Sequence, residues 1–142
     1  MQCEELMKTT VECLEPDDTV QSAARKMRER NVGFLPVCDA GRRILGTLTD
    51  RDIAVRVCAE NRSAAATRVS EVMTREVVAC RKQDDVHSAE QIMGQRHKSR
   101  IMIADEGGRL EGVISLSDIA QREDLRRAAA TMREVASREA RV

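Results

Sequence analysis

The stretch GTLTDRDIA at residues 46–54 returns as GVISLSDIA at residues 112–120. Sliding the chain along itself by that step aligns residues 7–54 with residues 73–120 without a gap. Met7 then pairs with Met73, Val20 with Val86, Ala23 with Ala89, Met27 with Met93, Asp39 with Asp105, Gly41 with Gly107 and Asp52 with Asp118. Roughly a third of the aligned positions are identical, which marks two copies of one supersecondary unit. A chain of 142 residues can bury about two thirds of its unfolded surface, whereas half that length is marginal alone. The copies are therefore expected to share a core.

Each copy reads strand, helix, strand, strand, helix. In the first, residues 10–14 form a short extended run closed by Pro16, and Asp17, Asp18 and Thr19 offer caps for a helix over residues 20–31. Val20, Ala23, Ala24 and Met27 fall at i, i+3, i+4 and i+7, one apolar stripe. Residues 34–38 and 43–49 flank a turn at Asp39, Ala40 and Gly41 and read as a hairpin. Pro36 has no N–H to donate, so its strand should lie at an edge or be locally unpaired. The second copy repeats the order with residues 77–80, 86–95, 100–104 and 110–115. These readings give an α/β (α+β) class: tandem β-α-β-β-α repeats packed through their sheets with pseudo-two-fold symmetry. Residues 1–60 hold copy one, 61–72 a linker with a short helical turn leading into Met73, and 73–122 copy two. Residues 123–142 read as an amphipathic helix, with Leu125, Ala128, Ala129, Met132, Val135 and Ala136 as a thin stripe that docks on its own domain or a symmetry mate.

Composition narrows the function classes. Basic and acidic residues balance at 24 each, against a general nucleic-acid or membrane-surface protein. One Phe and no Tyr or Trp leave no base-stacking platform. No run has the apolar length of a membrane span, and residues 1–7 lack the features of a signal peptide, so a cytoplasmic protein is expected. Cys3, Cys13, Cys38, Cys58 and Cys80 are odd in number, without CxxC spacing. They argue against a disulfide framework, and Cys13, Cys38 and Cys80 read as small buried hydrophobes. His87 and His97 are too far apart on one helix to make an i, i+4 metal pair, so no metal site is expected.

In both copies a strand ends on a hydroxyl residue and an aspartate follows three residues later: Thr49 with Asp52, Ser115 with Asp118. One reading is a capping box, in which the hydroxyl and the carboxylate serve only their own helix. The other rests on recurrence in both copies and on Gly46 and Gly112, each three residues before the hydroxyl, which permit close backbone approach. A hydroxyl and a carboxylate at a helix mouth suit vicinal sugar hydroxyls, and the helix N–H groups favour an adjacent anion. Arg51 adds a charge-assisted phosphate contact in the first copy; Ser117, its counterpart, brings no charge.

This pattern resembles the cystathionine-beta-synthase (CBS) domain pair, or Bateman module, over residues 6–122. The resemblance implies an adenosyl ligand, such as AMP, ADP, ATP or S-adenosylmethionine, in the cleft between repeats. Asp52 and Asp118 would then hold ribose hydroxyls, with Thr49 and Ser115 beside them. Adenine would lie against Val11, Cys13, Phe34, Leu35 and Pro36 in one site, and against Val77, Ala79, Arg100, Ile101 and Met102 in the other. The copies differ at Pro36 against Met102, and in the run His97, Lys98 and Arg100, which either reaches a phosphate or is a solvated helix exit. A homodimer assisted by the C-terminal helix is also implied.

Three functions follow as expectations. The first is a stand-alone regulatory module, with the nucleotide as regulatory ligand and no required cofactor, acting on an unknown protein effector through a change of shape or assembly. The second is a structural or interaction dimer of the same fold whose sites have lapsed into helix caps. An enzyme is the third and is disfavoured: the histidines lie away from the strand ends, and each aspartate belongs to its own motif.

Overall fold

The computed structural model describes residues 1–122 and 124–138. In chain order they form α1 (Cys3–Leu6), α2 (Val20–Arg30), β1 (Phe34–Cys38), β2 (Ile44–Thr49), α3 (Asp50–Ile53) running into a π-helical turn (Ala54–Cys58), α4 (Val69–Val72), β3 (Ala79–Cys80), α5 (Val86–Arg96), β4 (Arg100–Ala104), β5 (Leu110–Ser115), α6 (Leu116–Arg122) and α7 (Leu125–Ala136). Among the described residues no helix is long and apolar enough to cross a membrane.

The chain divides into two compact units, and the division does not follow the copies. One unit is Glu12–Val77; the other joins Met1–Val11 to the chain from Val78 onward. Each holds its own apolar cluster.

In the Glu12–Val77 unit, α2 starts where Thr19 Oγ1 accepts the Ser22 N–H at 3.1 Å, and it ends at Asn31 in the left-handed conformation (φ 54). Its Val20, Ala23 and Met27 are buried as the stripe requires, whereas Ala24 is exposed. β1 pairs antiparallel with β2, Leu35 opposite Leu48 and Val37 opposite Gly46. Leu35, Val37 and Leu48 enter the core with Leu14, Val20, Met27 and Val57. The segment read as a linker is part of that core: α4 buries Val69 and Val72, and Met73 follows them in. Thr74 then pairs with Thr47 on the outer edge of β2, with reciprocal N–H···O bonds of 2.9 Å.

The other unit repeats this plan. α1 buries Cys3 and Leu6, the counterparts of Val69 and Val72, and Lys8 pairs with Val113 on the edge of β5, as Thr74 pairs with Thr47. Each sheet thus takes its outer pairing from the segment ahead of the other copy, and the repeat extends upstream of Met7 to Cys3.

The copies diverge at the inner edge. Met102 donates its N–H to Val78 O at 3.2 Å, and β3 pairs parallel with β4 through Ala79–Met102 and Cys80–Ile103. Pro36, the counterpart of Met102, cannot make that bond, and the expected strand over residues 10–14 shrinks to a single bridge at Leu14. There Leu14 N–H meets Pro36 O at 2.8 Å and Cys38 N–H meets Leu14 O at 2.9 Å.

α7 packs on α5 and α6. The expected stripe splits on the helix surface: Ala128 and Val135 are buried with Thr131, while Leu125 and Met132 are 80% and 49% exposed and Ala129 and Ala136 are exposed with them. Residues 123 and 139–142 of that expected helix lie outside the described residues.

Candidate functional site

The strand-to-helix junctions of β2 into α3 and of β5 into α6 carry the sequence motif, and both form capping boxes. At the first, Thr49 Oγ1 accepts the Asp52 N–H at 3.1 Å while Asp52 Oδ2 accepts the Thr49 N–H at 3.0 Å. At the second, Ser115 Oγ accepts the Asp118 N–H at 3.1 Å, and Asp118 Oδ2 accepts both the Ser115 N–H and its hydroxyl at 2.8 Å. One oxygen of each carboxylate is thereby committed to its own helix start, satisfying amides that a helix N-terminus otherwise leaves open.

The second oxygen differs between junctions. Among the described residues, Asp52 Oδ1 has only long contacts, 3.4 Å from Thr74 Oγ1 and 3.9 Å from an Arg56 guanidinium nitrogen. That guanidinium nitrogen is itself anchored on Val72 O and Met73 O, at 2.9 and 3.1 Å, so the positive charge beside Asp52 is held in place. Asp118 Oδ1 instead makes a 3.1 Å ion pair with Lys8. Burial alone would raise the Asp118 pKa, but the Ser115 amide and hydroxyl and the Lys8 ammonium outweigh it and hold it below the usual carboxylate value. Arg51 is exposed on the first turn of α3, and the neighbouring Asp50 accepts the Arg51 N–H at 2.9 Å.

The glycines serve the chain's own backbone. A Cβ on Gly46 would lie 2.2 Å from Thr74 O, and one on Gly112 would lie 2.9 Å from Lys8 O. The close approach inferred from these glycines is therefore that of a neighbouring segment.

The expected adenine-facing residues separate by strand alternation. Leu35 and Ile101 point into the cores, so their side chains are not available to a ligand. Phe34 and Pro36 in β1, and Arg100 and Met102 in β4, alternate with them; Phe34 and Arg100 are partly buried, whereas Pro36 and Met102 are buried. Cys13 is half-buried beside Cys38, and Ala79 pairs with Met102. Val11 falls in the unit of the second copy and Val77, 45% exposed, in that of the first. His97 is the left-handed cap of α5, held by Glu134 O at 2.9 Å from its Nδ1. It is thus a helix exit tied to α7.

Reading the sequence missed Lys8, Thr74 and Arg56. Lys8 and Thr74 are repeat counterparts, so the alignment marks them as equivalent; that each reaches the aspartate of the other copy follows only from the exchanged edge pairing. Among the described residues no group of three or more His, Cys, Asp or Glu side chains could hold a metal ion.

Comparison with known proteins agrees with this geometry. The CBS domain model matches residues 3–58 and again 69–124. The CBS domain-containing protein YhcV of Bacillus subtilis is 40% identical over 114 residues, 80% of this chain and 79% of its own length. The crystal structure of hypoxic response protein I with two coordinated zinc ions superposes with a TM-score of 0.78 at 27% identity, covering 87% of this chain and all of that one. The CBS domain pair of protein MJ0100, in complex with 5'-methylthioadenosine and S-adenosyl-L-methionine, superposes with a TM-score of 0.77 at 21% identity, over 85% of this chain and 94% of that one.

Proposed function

Because the chain belongs to the CBS domain family, we propose that it is a regulatory module that binds an adenosyl ligand and signals by a change of conformation or assembly. The observation that carries this reading is the state of Asp52. Its Oδ2 is fixed by the Thr49 amide, which sets the carboxylate's orientation, while Oδ1 has no contact shorter than 3.4 Å among those described. A carboxylate so oriented can accept hydrogen bonds from a ribose diol with little reorganisation, and Arg51 on the adjoining turn supplies charge for a phosphate. Phe34 and Cys13, both only partly buried, are the side chains left for the base, with the buried Pro36 behind them. AMP, ADP, ATP and S-adenosylmethionine share the adenosine that this arrangement would read.

The Asp118 junction is the weaker site of the two. A ligand there has to displace Lys8 from Oδ1, or recruit it to a phosphate. No cofactor is required under this reading, and the output is an effect on a protein partner, with a homodimer as the working assembly and the cytoplasm as its place. Catalysis is not proposed, since each aspartate is bound into its own cap.

A scaffold without a ligand is the competing reading, and the capping boxes favour it, since they give both motifs a structural task. Calorimetric titration with AMP, ATP and S-adenosylmethionine separates the two. Saturable binding weakened by Asp52→Ala supports the sensor; no heat from any of the three, with protein shown to be folded, supports the scaffold.

A further inference from the structure

The strand that Pro36 leaves incomplete places two thiols side by side. Cys13 immediately precedes the Leu14 bridge, and Cys38 closes β1 at its irregularity, its own N–H bonded to Leu14 O. The Cys38 thiol donates to Cys13 Sγ at 3.3 Å. A disulfide needs about 2 Å between the sulfurs, so closure asks for a movement of about 1.3 Å. Cys13 is half-buried whereas Cys38 is 2% exposed, so one sulfur can meet a reagent and the other waits behind it.

We propose that Cys13 and Cys38 form a redox-active dithiol, with Cys13 as the attacking and Cys38 as the resolving thiol, which low-molecular-weight disulfides convert to an intramolecular disulfide. The Cys13 thiolate attacks one sulfur of the small disulfide, forming a mixed disulfide and expelling a thiolate. Cys38 then gives up its proton, attacks Cys13 Sγ and releases the second small thiol. In sum, two protein thiols are oxidised to one disulfide and the reagent is reduced to two thiols.

The local charges support those roles. The hydrogen bond from Cys38 is the main influence lowering the Cys13 pKa to about 7, against its burial and the charge of Glu12, with Arg42 and Lys26 adding to the reduction. Cys38 moves upward, through its hydrogen bond to Cys13 and through burial, with Asp39 in the same direction and Arg42 opposing. A second pair provides an internal contrast. Cys3 and Cys80 lie 3.7 Å apart, but at 0% and 7% exposure both are within the other unit's core, out of reach of a reagent. Cys58 is exposed and belongs to neither pair. The proposal does not depend on the nucleotide reading.

The test uses the full chain, equilibrated with glutathione disulfide and glutathione at pH 7, then alkylated and digested. The expected product is a monomer lighter by two hydrogens with Cys13 and Cys38 peptides linked, formed equally by a Cys3→Ser/Cys80→Ser variant. Cys38→Ser should stop at Cys13 carrying one glutathione. In reduced protein, Cys13 alkylation at pH 7 should fall about tenfold in Cys38→Ala as its thiolate fraction drops toward that of an ordinary thiol. Full alkylation of Cys13 and Cys38 after treatment with excess glutathione disulfide would overturn the proposal. So would a crosslink found only between Cys3 and Cys80 or between chains through Cys58, or a Cys13 rate indifferent to Cys38→Ala.

Discussion

Lys8 Nζ stands 3.1 Å from Asp118 Oδ1, although the two residues belong to different copies of the repeat. The contact follows from the backbone: Lys8 bonds Val113 in both directions along the edge of β5, and that pairing carries its ammonium to the junction two residues further on. Asp118 is 8% exposed and Lys8 reaches it from solvent, which makes the pair a partly screened one. Its worth is expected to be small in stability and larger in how the junction responds to pH.

The sign follows from the Asp118 pKa, which is lower in the folded chain than in a free carboxyl. The folded state then binds fewer protons than the unfolded one near that pKa, so the stabilisation is complete above about pH 4 and is lost as pH falls through the folded value. Lys8→Met should cost about 0.5–1 kcal/mol at pH 7 and less at pH 3, where partial protonation of Asp118 weakens the wild-type pair and the variant has none to lose. Urea unfolding of the two proteins at both values measures this. An equal cost at the two values would show that Lys8 acts through packing alone.

Gly46 and Gly112 should respond unequally to alanine. At Gly46 the added methyl meets Thr74 O at 2.2 Å, a backbone atom held by its own pairing with Thr47. At Gly112 the nearest atoms are Lys8 O and Met7 Sδ, both at 2.9 Å, and the thioether can turn aside. Gly46→Ala is expected to cost about 2–3 kcal/mol and Gly112→Ala about 1–2 kcal/mol, by analogy with overpacked cores. Thermal unfolding gives the order; a larger loss at Gly112 would contradict it.

At the first junction, Asp52→Ala removes both the cap and the proposed ribose contact. Under the sensor reading it costs about 1.5–3 kcal/mol of adenosyl-ligand affinity from lost charged hydrogen bonds. Asp118→Ala should cost less affinity, because Lys8 already occupies that carboxylate. Calorimetry on both variants, with circular dichroism to verify folding, reads the difference. Equal losses would show that the two junctions bind alike.

Much of this was legible from residue types. The repeat, the hairpins, the cap at Thr19 and the two aspartate motifs followed from spacing, because each depends on contacts within a few residues. What escaped was the exchange: residues 1–11 complete the unit of the second copy, while residues 61–77 complete that of the first. A short polar stretch with Val69 and Val72 at a spacing of three looks like a connector when its burial partner is far along the chain. Strand faces were also blurred. Leu35 and Ile101 are core residues by alternation, and only the direction in which each hairpin packs says which of two neighbours faces inward.

Helix α7 tests the same limit. Its apolar residues cover more than one face, and spacing alone accepts all six as a stripe, yet the buried line runs through Ala128, Thr131 and Val135. Thr131 fits there because its hydroxyl donates to Arg127 O at 3.0 Å, so a polar atom is buried with a partner. Val135→Ala should therefore destabilise the unit by about 1–2 kcal/mol, through lost apolar contact and the space left behind. Leu125→Ala and Met132→Ala should change it by less than about 0.5 kcal/mol, since both side chains are largely in water. The comparison also bears on assembly. If either exposed residue lies at a homodimer contact, its replacement weakens self-association in sedimentation while leaving dilute-solution stability unchanged, whereas a stripe docked only on its own domain would move neither.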